Sequence, residues 1–318
     1  MIEPNFIIAG ERRSGTTTLG KWIQCHPEIF INQQFDQAYF MDDEIRGTIE
    51  WSEGFGNKEL WYSKHSKEQY CEQFIEADKS KHKAIGEKSA DYLFLNESLE
   101  RMHNYYPNAK IILTLRNPIK RSWSHYWNEV GKGRESLTFE EAIKKEDERI
   151  SSSDFARTHL SYLNRGKYIN SIKNLLKLYP ENQIHIIILE EAIKQPVEVL
   201  KSLYNFLEVN PEIGLENAGK RFNNNWTTIP KKFWLSKPIL RKIEEKIINR
   251  GVKLIAKGLY HDFYTRRKKL VKLQAPFRVS PAELKMEDSL KNELIEYFTP
   301  SINELEALLD KNLSFWKK

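Results

Sequence analysis

Residues 6–19 read Phe6-Ile7-Ile8-Ala9-Gly10-Glu11-Arg12-Arg13-Ser14-Gly15-Thr16-Thr17-Thr18-Leu19. The apolar beginning of this stretch predicts a buried strand, and its two glycines allow a tight turn that brings the backbone close to a ligand. The hydroxyl residues that follow stand where a helix leaves its first amides unpaired. Because the amino end of a helix carries free N–H groups and a positive dipole, the stretch predicts an anion-binding loop.

The two glycines have the spacing of a phosphate-binding P-loop, with Gly10 and Gly15 five positions apart. Thr16 stands where that motif has lysine. A kinase or ATPase would therefore lack its phosphate-reaching lysine, unless Arg13 replaces it. The loop taken alone also fits an ordinary strand-to-helix turn.

The composition is that of a folded globular protein, with 318 residues of which 40% are hydrophobic and 30% are charged. Lysine and arginine exceed aspartate and glutamate by 50 − 44 = 6, which is too small an excess to indicate nucleic acid binding. Two cysteines argue against a disulfide framework. The first strand begins by Phe6, and no apolar run approaches the roughly 20 residues of a membrane span. We therefore expect a cytoplasmic protein without a signal peptide or a membrane span.

Strand, turn and helix repeat along the chain from Phe6 to Leu207. The clearest later strand covers residues 109–115, and Pro118 suits the first turn of the helix that follows. Such alternation predicts an α/β fold in which a central parallel sheet carries helices on both faces.

The chain is predicted to form a single domain over residues 1–318. Residues 41–75 are interpreted as an insertion that either faces the substrate or packs as a structural loop, and residues 228–318 as a mostly helical part. The eight histidines are scattered, and His185 is interpreted as a sheet residue. Because no cluster of metal ligands is evident, we expect no metal site.

Two separated motifs resemble those of sulfotransferases that use 3′-phosphoadenosine 5′-phosphosulfate (PAPS) as donor. The loop from Gly10 to Thr17 is similar to their 5′-phosphosulfate loop. Leu115-Arg116-Asn117-Pro118, followed by Arg121, Ser122 and Ser124, is similar to their 3′-phosphate motif. Supporting matches are His26-Pro27-x-Ile29, Gly86-Glu87-Lys88-Ser89-x-x-Tyr92, Tyr162-x-x-Arg165-Gly166-x-Tyr168 and the closing Leu305-x-x-Leu308-Leu309 with Leu313, Phe315 and Trp316. The pattern resembles the glycan-type and bacterial branch of the family.

The resemblance implies a P-loop NTPase-like sulfotransferase fold and a metal-independent enzyme. Such an enzyme moves a sulfonate group from PAPS to a hydroxyl or an amine and releases adenosine 3′,5′-bisphosphate (PAP). The donor-binding residues that the resemblance implies are Arg12, Arg13, Ser14, Gly15, Thr16, Thr17, Thr18, Arg116, Ser124, Lys220 and Arg221. Arg116 and Ser124 would hold the 3′-phosphate, because a guanidinium binds that anion with two hydrogen bonds.

Three catalytic residues follow from the same resemblance: Asp36, Arg13 and Lys88. Asp36 falls on the family's catalytic base, a glutamate, with a side chain one methylene shorter, although a turn or cap role is the alternative. Arg13 replaces a lysine and would stabilise charge without donating a proton. Lys88 resembles a lysine beside the transferred sulfonate, or else forms a surface pair with Glu87. Further candidates for the base are Glu11, Asp91, His65 and His125.

The acceptor is predicted to be a small molecule, such as a natural product or a toxin, with a glycan or a lipid as the alternative. Gln33, Gln34 and Gln37 surround Asp36 in place of basic residues, which allows a neutral or cationic acceptor. Two hypotheses of other classes are a P-loop nucleotide kinase or NTPase and a catalytically silent nucleotide-binding protein. The choice between O- and N-sulfation and the oligomeric state are left open.

Overall fold

The structure is a computed structural model that describes residues 1–32, 39–41, 67–131, 134–222, 229–230, 278–279 and 284–318. Its centre is a five-stranded sheet whose neighbouring strands all pair in parallel. The strands are β1 (Phe6–Gly10), β2 (Ile29–Ile31), β3 (Ala84–Lys88), β4 (Lys110–Leu115) and β5 (Ile184–Ile188), in the spatial order β2-β3-β1-β4-β5. A separate antiparallel pair joins β6 (Ile229–Pro230) to β7 (Arg278–Val279).

The helices of the described part pack around this sheet. They are α1 (Thr16–Ile23), α2 (Lys67–Glu72), α3 (Asn96–Tyr105), α4 (Pro118–Gly131), α5 (Phe139–Lys144), α6 (Glu146–Ser152), α7 (Asp154–His159), α8 (Tyr168–Leu178), α9 (Leu189–Lys194), α10 (Pro196–Phe206) and α11 (Asp288–Leu309). Short 3-10 helices cover Asn164–Gly166, Glu181–Gln183 and Ser314–Lys317.

Alternate side chains of the central strands enter two different hydrophobic cores, as the two-residue period of a strand requires. Ile7 and Ile111 belong to one core, together with apolar residues of α3, α4, α8 and α11. Phe6 and Ile112 belong to the other, together with residues of α1 and α10. The predicted arrangement, a buried parallel sheet with helices on both faces, is therefore present.

The order of the strands determines where the candidate site lies. From β1 the chain builds β2 and β3 on one side and then crosses to β4 and β5 on the other side. Such a switch point opens a crevice at the carboxyl ends of the strands, where ligands of α/β proteins bind. The loop after β1 and the turns after β3 and β4 all lie at that edge.

Two helix boundaries between β4 and β5 depend on tertiary or capping contacts. The charged segment Phe139–Arg149 divides into α5 and α6, because the buried Glu146 carboxylate turns inward to accept from the N–H groups of Leu163 and Asn164 at 2.7 and 2.8 Å. Residues 151–153 form a second helix junction, at which Ser153 Oγ caps α7 by accepting from the backbone N–H of Ala156.

The predicted single domain, residues 1–318, stays a prediction. Of the interpreted insertion at 41–75, residues 42–66 lie outside the described residues. Of the carboxyl-terminal part at 228–318, the structure describes the two short strands and residues 284–318. The 22-residue helix α11 dominates this last segment and contacts α8 and α4.

Candidate active site

The loop between β1 and α1 has the form of an anion site. Gly15 precedes α1 with a φ of 94°, and no side chain among the described residues caps the helix there. This positive φ favours glycine, and a Cβ atom there would lie 2.7 Å from Leu189 Cδ1, so that side chain would also have to shift. The first amides of α1 therefore open toward the carboxyl edge of the sheet, where an anion can accept from them.

Three of the predicted donor-binding side chains meet beside this loop. Arg13 Nε donates to Ser124 Oγ at 3.1 Å, and Arg13 Nη1 lies 3.4 Å from Asn128 Oδ1. Arg116 Nη1 donates to the backbone carbonyl of Arg13 at 3.1 Å. The loop after β1, the end of β4 and the helix α4 therefore contribute to one cluster, although Ser124 is separated from Arg13 by more than 100 residues of sequence.

The two arginines form a concentrated positive charge. Burial and the neighbouring charge of Arg116 together lower the pKa of Arg13 to about 10. Burial also lowers the pKa of Arg116, while the Glu190 carboxylate opposes that shift. Among the described residues neither guanidinium forms an ion pair. Two partly buried cations without a carboxylate partner favour the binding of an anion.

Lys88 approaches the same loop from the end of β3. Its side chain is 2% exposed, and Nζ lies 3.3 Å from Thr17 Oγ1 in the first turn of α1. This contact contradicts the alternative of a surface pair with Glu87, because both residues are buried and Glu87 accepts from Tyr92 at 3.2 Å.

Arg12 points away from Arg13 into a network of buried charges. Its Nη2 pairs with Asp91 Oδ2 at 2.5 Å, and its Nη1 lies 3.1 Å from His159 Nδ1. Arg165, which is wholly buried, pairs with Glu11 Oε1 at 2.8 Å and with Asp91 Oδ1 at 2.9 Å. The network anchors the loop between β1 and α1 to the turn after β3 and to the segment before α8. The donor-binding role of Arg12 stays a prediction.

The predicted bases have different surroundings. Asp36 and His65 lie outside the described residues. Glu11 accepts from Arg165 and from the backbone N–H of Arg12, and Asp91 is paired with two arginines. Both carboxylates are thus already engaged by arginine side chains. Their assignment as the base stays a prediction.

The remaining predicted donor residues occupy the rim or the loop itself. Ser14 and Thr16 are buried, whereas Thr17 and Thr18 are partly exposed on α1. The backbone carbonyl of Lys220 accepts from Trp22 Nε1 at 2.8 Å, and the side chains of Lys220 and Arg221 are exposed. Closure of Lys220 and Arg221 over a nucleotide stays a prediction.

Several site residues were not predicted from the sequence. Asn128 contacts Arg13, and Tyr168 Oη donates to the carbonyl of Arg116 at 2.7 Å. The position of Asn128 one helical turn after Ser124 is the signal that could have identified it. Arg165 and Tyr168 occur in a motif quoted for the resemblance, but that motif carries no sign of their partners.

The described ranges contain neither a candidate metal site nor a candidate membrane span. No group of three or more His, Cys, Asp or Glu side chains there could hold a metal ion. No helix among those residues combines the length and the apolar character that crossing a membrane requires.

Comparison with known proteins gives a consistent result. A family model described as "Sulfotransferase domain" matches residues 3–269. The bifunctional heparan sulfate N-deacetylase/N-sulfotransferase of Drosophila melanogaster is 27% identical over 223 residues, 67% of this chain and 20% of that protein. Heparan sulfate glucosamine 3-O-sulfotransferase 5 of Homo sapiens is 26% identical over 216 residues, 67% of this chain and 56% of that protein.

A solved sulfotransferase structure from Alicyclobacillus acidocaldarius is 25% identical, with a TM-score of 0.66 and 100% of both chains covered. The chain spans 20% and 56% of the length of the two curated relatives above. These findings confirm the predicted resemblance and the predicted P-loop NTPase-like α/β fold.

Proposed function

Because the chain belongs to the sulfotransferase domain family, we propose that it transfers a sulfonate group from PAPS to a hydroxyl or an amine of a small-molecule acceptor. The observation that carries this proposal is the pair of partly buried guanidinium groups that follow β1 and β4. Arg13 and Arg116 have no carboxylate partner among the described residues and lie beside the open amino end of α1. The family implies PAPS as donor and PAP as product.

The two anionic groups of the donor are assigned to different parts of this site. The backbone amides after Gly15 and the hydroxyls of Thr16 and Thr17 suit the 5′-phosphosulfate, since a helix amino end binds such an anion. Arg116 and Ser124, from β4 and α4, suit the 3′-phosphate. The distance of 3.1 Å between Arg13 and Ser124 supports the proposal that the two anion sites adjoin.

Arg13 and Lys88 are proposed to stabilise the leaving phosphate. During transfer the acceptor bonds to sulfur, the bond between sulfur and the 5′-phosphate oxygen breaks, and the acceptor proton passes to a base. Negative charge grows on the departing oxygen, and fixed cations in a buried site stabilise that charge most effectively. The pKa of Arg13, about 10, keeps it charged at neutral pH, so it acts by charge and not by proton transfer.

Asp36 is proposed as the base. We expect Asp36→Asn to lower kcat by about 100-fold, since it removes proton acceptance, and to leave the Kd for PAP within about twofold. Asp36→Glu is the matched control, because it keeps a carboxylate and should retain most of the activity. Initial rates with labelled donor measure the change. Full activity of Asp36→Asn would show that another group is the base.

The small-molecule acceptor rests on the glutamines around Asp36, Gln33, Gln34 and Gln37, which present no positive charge to a polyanion. The two relatives named above carry heparan sulfate in their names, so a glycan is the alternative acceptor, and a lipid is another. We would incubate the protein with labelled PAPS and three groups of acceptors: hydroxylated or amine-containing small molecules, N-deacetylated heparosan, and a galactolipid. Transfer to the small molecules alone is the expected result.

The other outcomes identify the rival functions. Transfer to heparosan or to the galactolipid alone would contradict the small-molecule acceptor but not the reaction. Binding of ATP with magnesium in preference to PAP would indicate a nucleotide kinase or NTPase. Tight binding of PAPS without transfer to any acceptor would indicate a catalytically silent nucleotide-binding protein.

A further inference from the structure

A hydrogen-bond network joins the turn between β4 and α4 to the carboxyl-terminal segment. Asn117 Oδ1 accepts from the N–H groups of Ile119 and Lys120 at 3.0 and 3.1 Å, and so caps α4. Asn117 Nδ2 donates to the backbone carbonyl of Trp316 at 2.9 Å. The backbone N–H of Asn117 donates to Glu190 Oε1 at 3.0 Å. The turn is thus fixed by its own helix, by α9 and by the carboxyl-terminal segment.

Trp316 closes this network. It lies in the 3-10 helix Ser314–Lys317, has no exposed surface, and donates from Nε1 to Glu190 Oε2 at 3.2 Å. Each oxygen of the Glu190 carboxylate therefore accepts from a different donor, Asn117 on one side and Trp316 on the other.

Glu190 is also close enough to act on Arg116. Its negative charge opposes the fall in the pKa of Arg116 that burial causes. The two side chains nevertheless form no ion pair, and the two carboxylate oxygens of Glu190 accept from the N–H groups of Asn117 and Trp316. Arg116 is therefore available to bind an external anion.

We infer that Trp316 is a positioning residue for the 3′-phosphate site, acting through Glu190 and Asn117. This inference rests on the proposed function, because it takes Arg116 to be the group that binds the 3′-phosphate. Trp316 fixes the turn that carries Arg116, and it keeps the Glu190 carboxylate from pairing with Arg116 in competition with the phosphate. Trp316, near the carboxyl end of the sequence, thereby strengthens the binding of a nucleotide at Arg116, in its first half.

The test compares PAP with adenosine 5′-phosphate, which lacks only the 3′-phosphate. Trp316→Phe removes the Nε1 donor and keeps an aromatic ring, and Asn117→Ser removes the bond to the Trp316 carbonyl and keeps a helix-capping oxygen. Calorimetry should show that each variant raises the Kd for PAP about five- to tenfold, as the loss of one such bond predicts, and leaves the Kd for adenosine 5′-phosphate within about twofold.

Trp127→Phe is the matched control, because Trp127 is buried, 7% exposed, and its Nε1 has no hydrogen-bond partner in the part of the chain that the structure describes. It should change neither Kd. The inference is overturned if Trp316→Phe and Asn117→Ser bind PAP as the wild type does, or if they weaken both nucleotides equally. If the wild type itself binds PAP no better than adenosine 5′-phosphate, the proposed function fails first, and the inference fails with it.

Discussion

Arg13 occupies an unusual position for a charged residue. Its backbone has a φ of 69° in the left-handed region, and its partly buried guanidinium contacts Ser124 and lies beside the cation Arg116. A positive charge placed next to another away from solvent lowers protein stability unless an anion compensates. We propose that this arrangement serves donor binding and sulfonate transfer.

We expect charge at Arg13 to matter more than its shape. Arg13→Lys should keep kcat within about tenfold of the wild type, whereas Arg13→Met should lower it about 100-fold, because the departing phosphate loses a fixed cation. Initial rates at saturating donor and acceptor measure both variants. Wild-type turnover by Arg13→Met would contradict the electrostatic role.

The segment between α7 and α8 contacts the loop between β1 and α1 through one buried side chain. Arg165 has no exposed surface and joins Glu11 to Asp91, which in turn pairs with Arg12. Removing one member of a buried ion pair leaves its partner charged and unsatisfied. The loop, the turn after β3 and this segment are therefore expected to unfold as a unit.

Arg165→Met should lower the free energy of unfolding by about 3 to 5 kcal/mol, because it leaves Glu11 and Asp91 buried without that cation. Arg157→Met is the control, since Arg157 pairs with Glu97 at 3.1 Å but both side chains are substantially exposed. That exposed pair should contribute less than about 1 kcal/mol. Denaturant titration measures the free energy of unfolding of both variants. Equal decreases would show that the buried ion pairs of Arg165 contribute no more to stability than the exposed pair of Arg157.

The strands of the central sheet were predictable from the sequence, for a physical reason. Apolar runs such as 109–115 identify buried strands, and the carboxyl ends of neighbouring parallel strands meet at one edge, so Arg116 and the first loop had to approach each other. Partners far apart in sequence were not predictable. Neither the bond between Arg165 and Glu11 nor that between Trp316 and Glu190 has a local signal, because tertiary packing alone brings these residues together.

The junction between α5 and α6 at residue 145 is a second feature that the local sequence pattern does not predict. Charged and apolar residues run through 139–149 without a proline or a glycine, so local pattern predicts one helix. The break follows from Glu146, whose buried carboxylate binds the backbone around Leu163. A tertiary contact overrides local helix propensity here.

The stability of the folded chain should depend on pH through His185, on the edge strand β5. The ring stacks on Phe206 with centroids 5.0 Å apart, and burial lowers its pKa from 6.5 to about 4, assisted by Lys311. Between these values the unfolded chain binds a proton that the folded chain does not. The contribution of His185 is therefore complete above pH 6.5 and is lost as the pH falls toward 4.

From pH 7 to pH 5 this linkage should cost about 2 kcal/mol of unfolding free energy. His185→Phe keeps a stacking ring without a titrating group, so its loss over the same interval should be smaller by about that amount. Denaturant unfolding at the two pH values measures the difference. An identical pH dependence of the two proteins would contradict the buried, neutral state of His185.

The central claim is that Arg13 and Arg116 bind the donor nucleotide. Isothermal calorimetry of PAP and adenosine 5′-phosphate with the wild type and Arg116→Ala tests this claim most directly. We predict that the wild type prefers PAP by roughly 100-fold and that Arg116→Ala abolishes most of this preference, because charged hydrogen bonds to the 3′-phosphate are lost. Equal affinity of the wild type for the two nucleotides, or a preference for PAP that survives in Arg116→Ala, would contradict the claim.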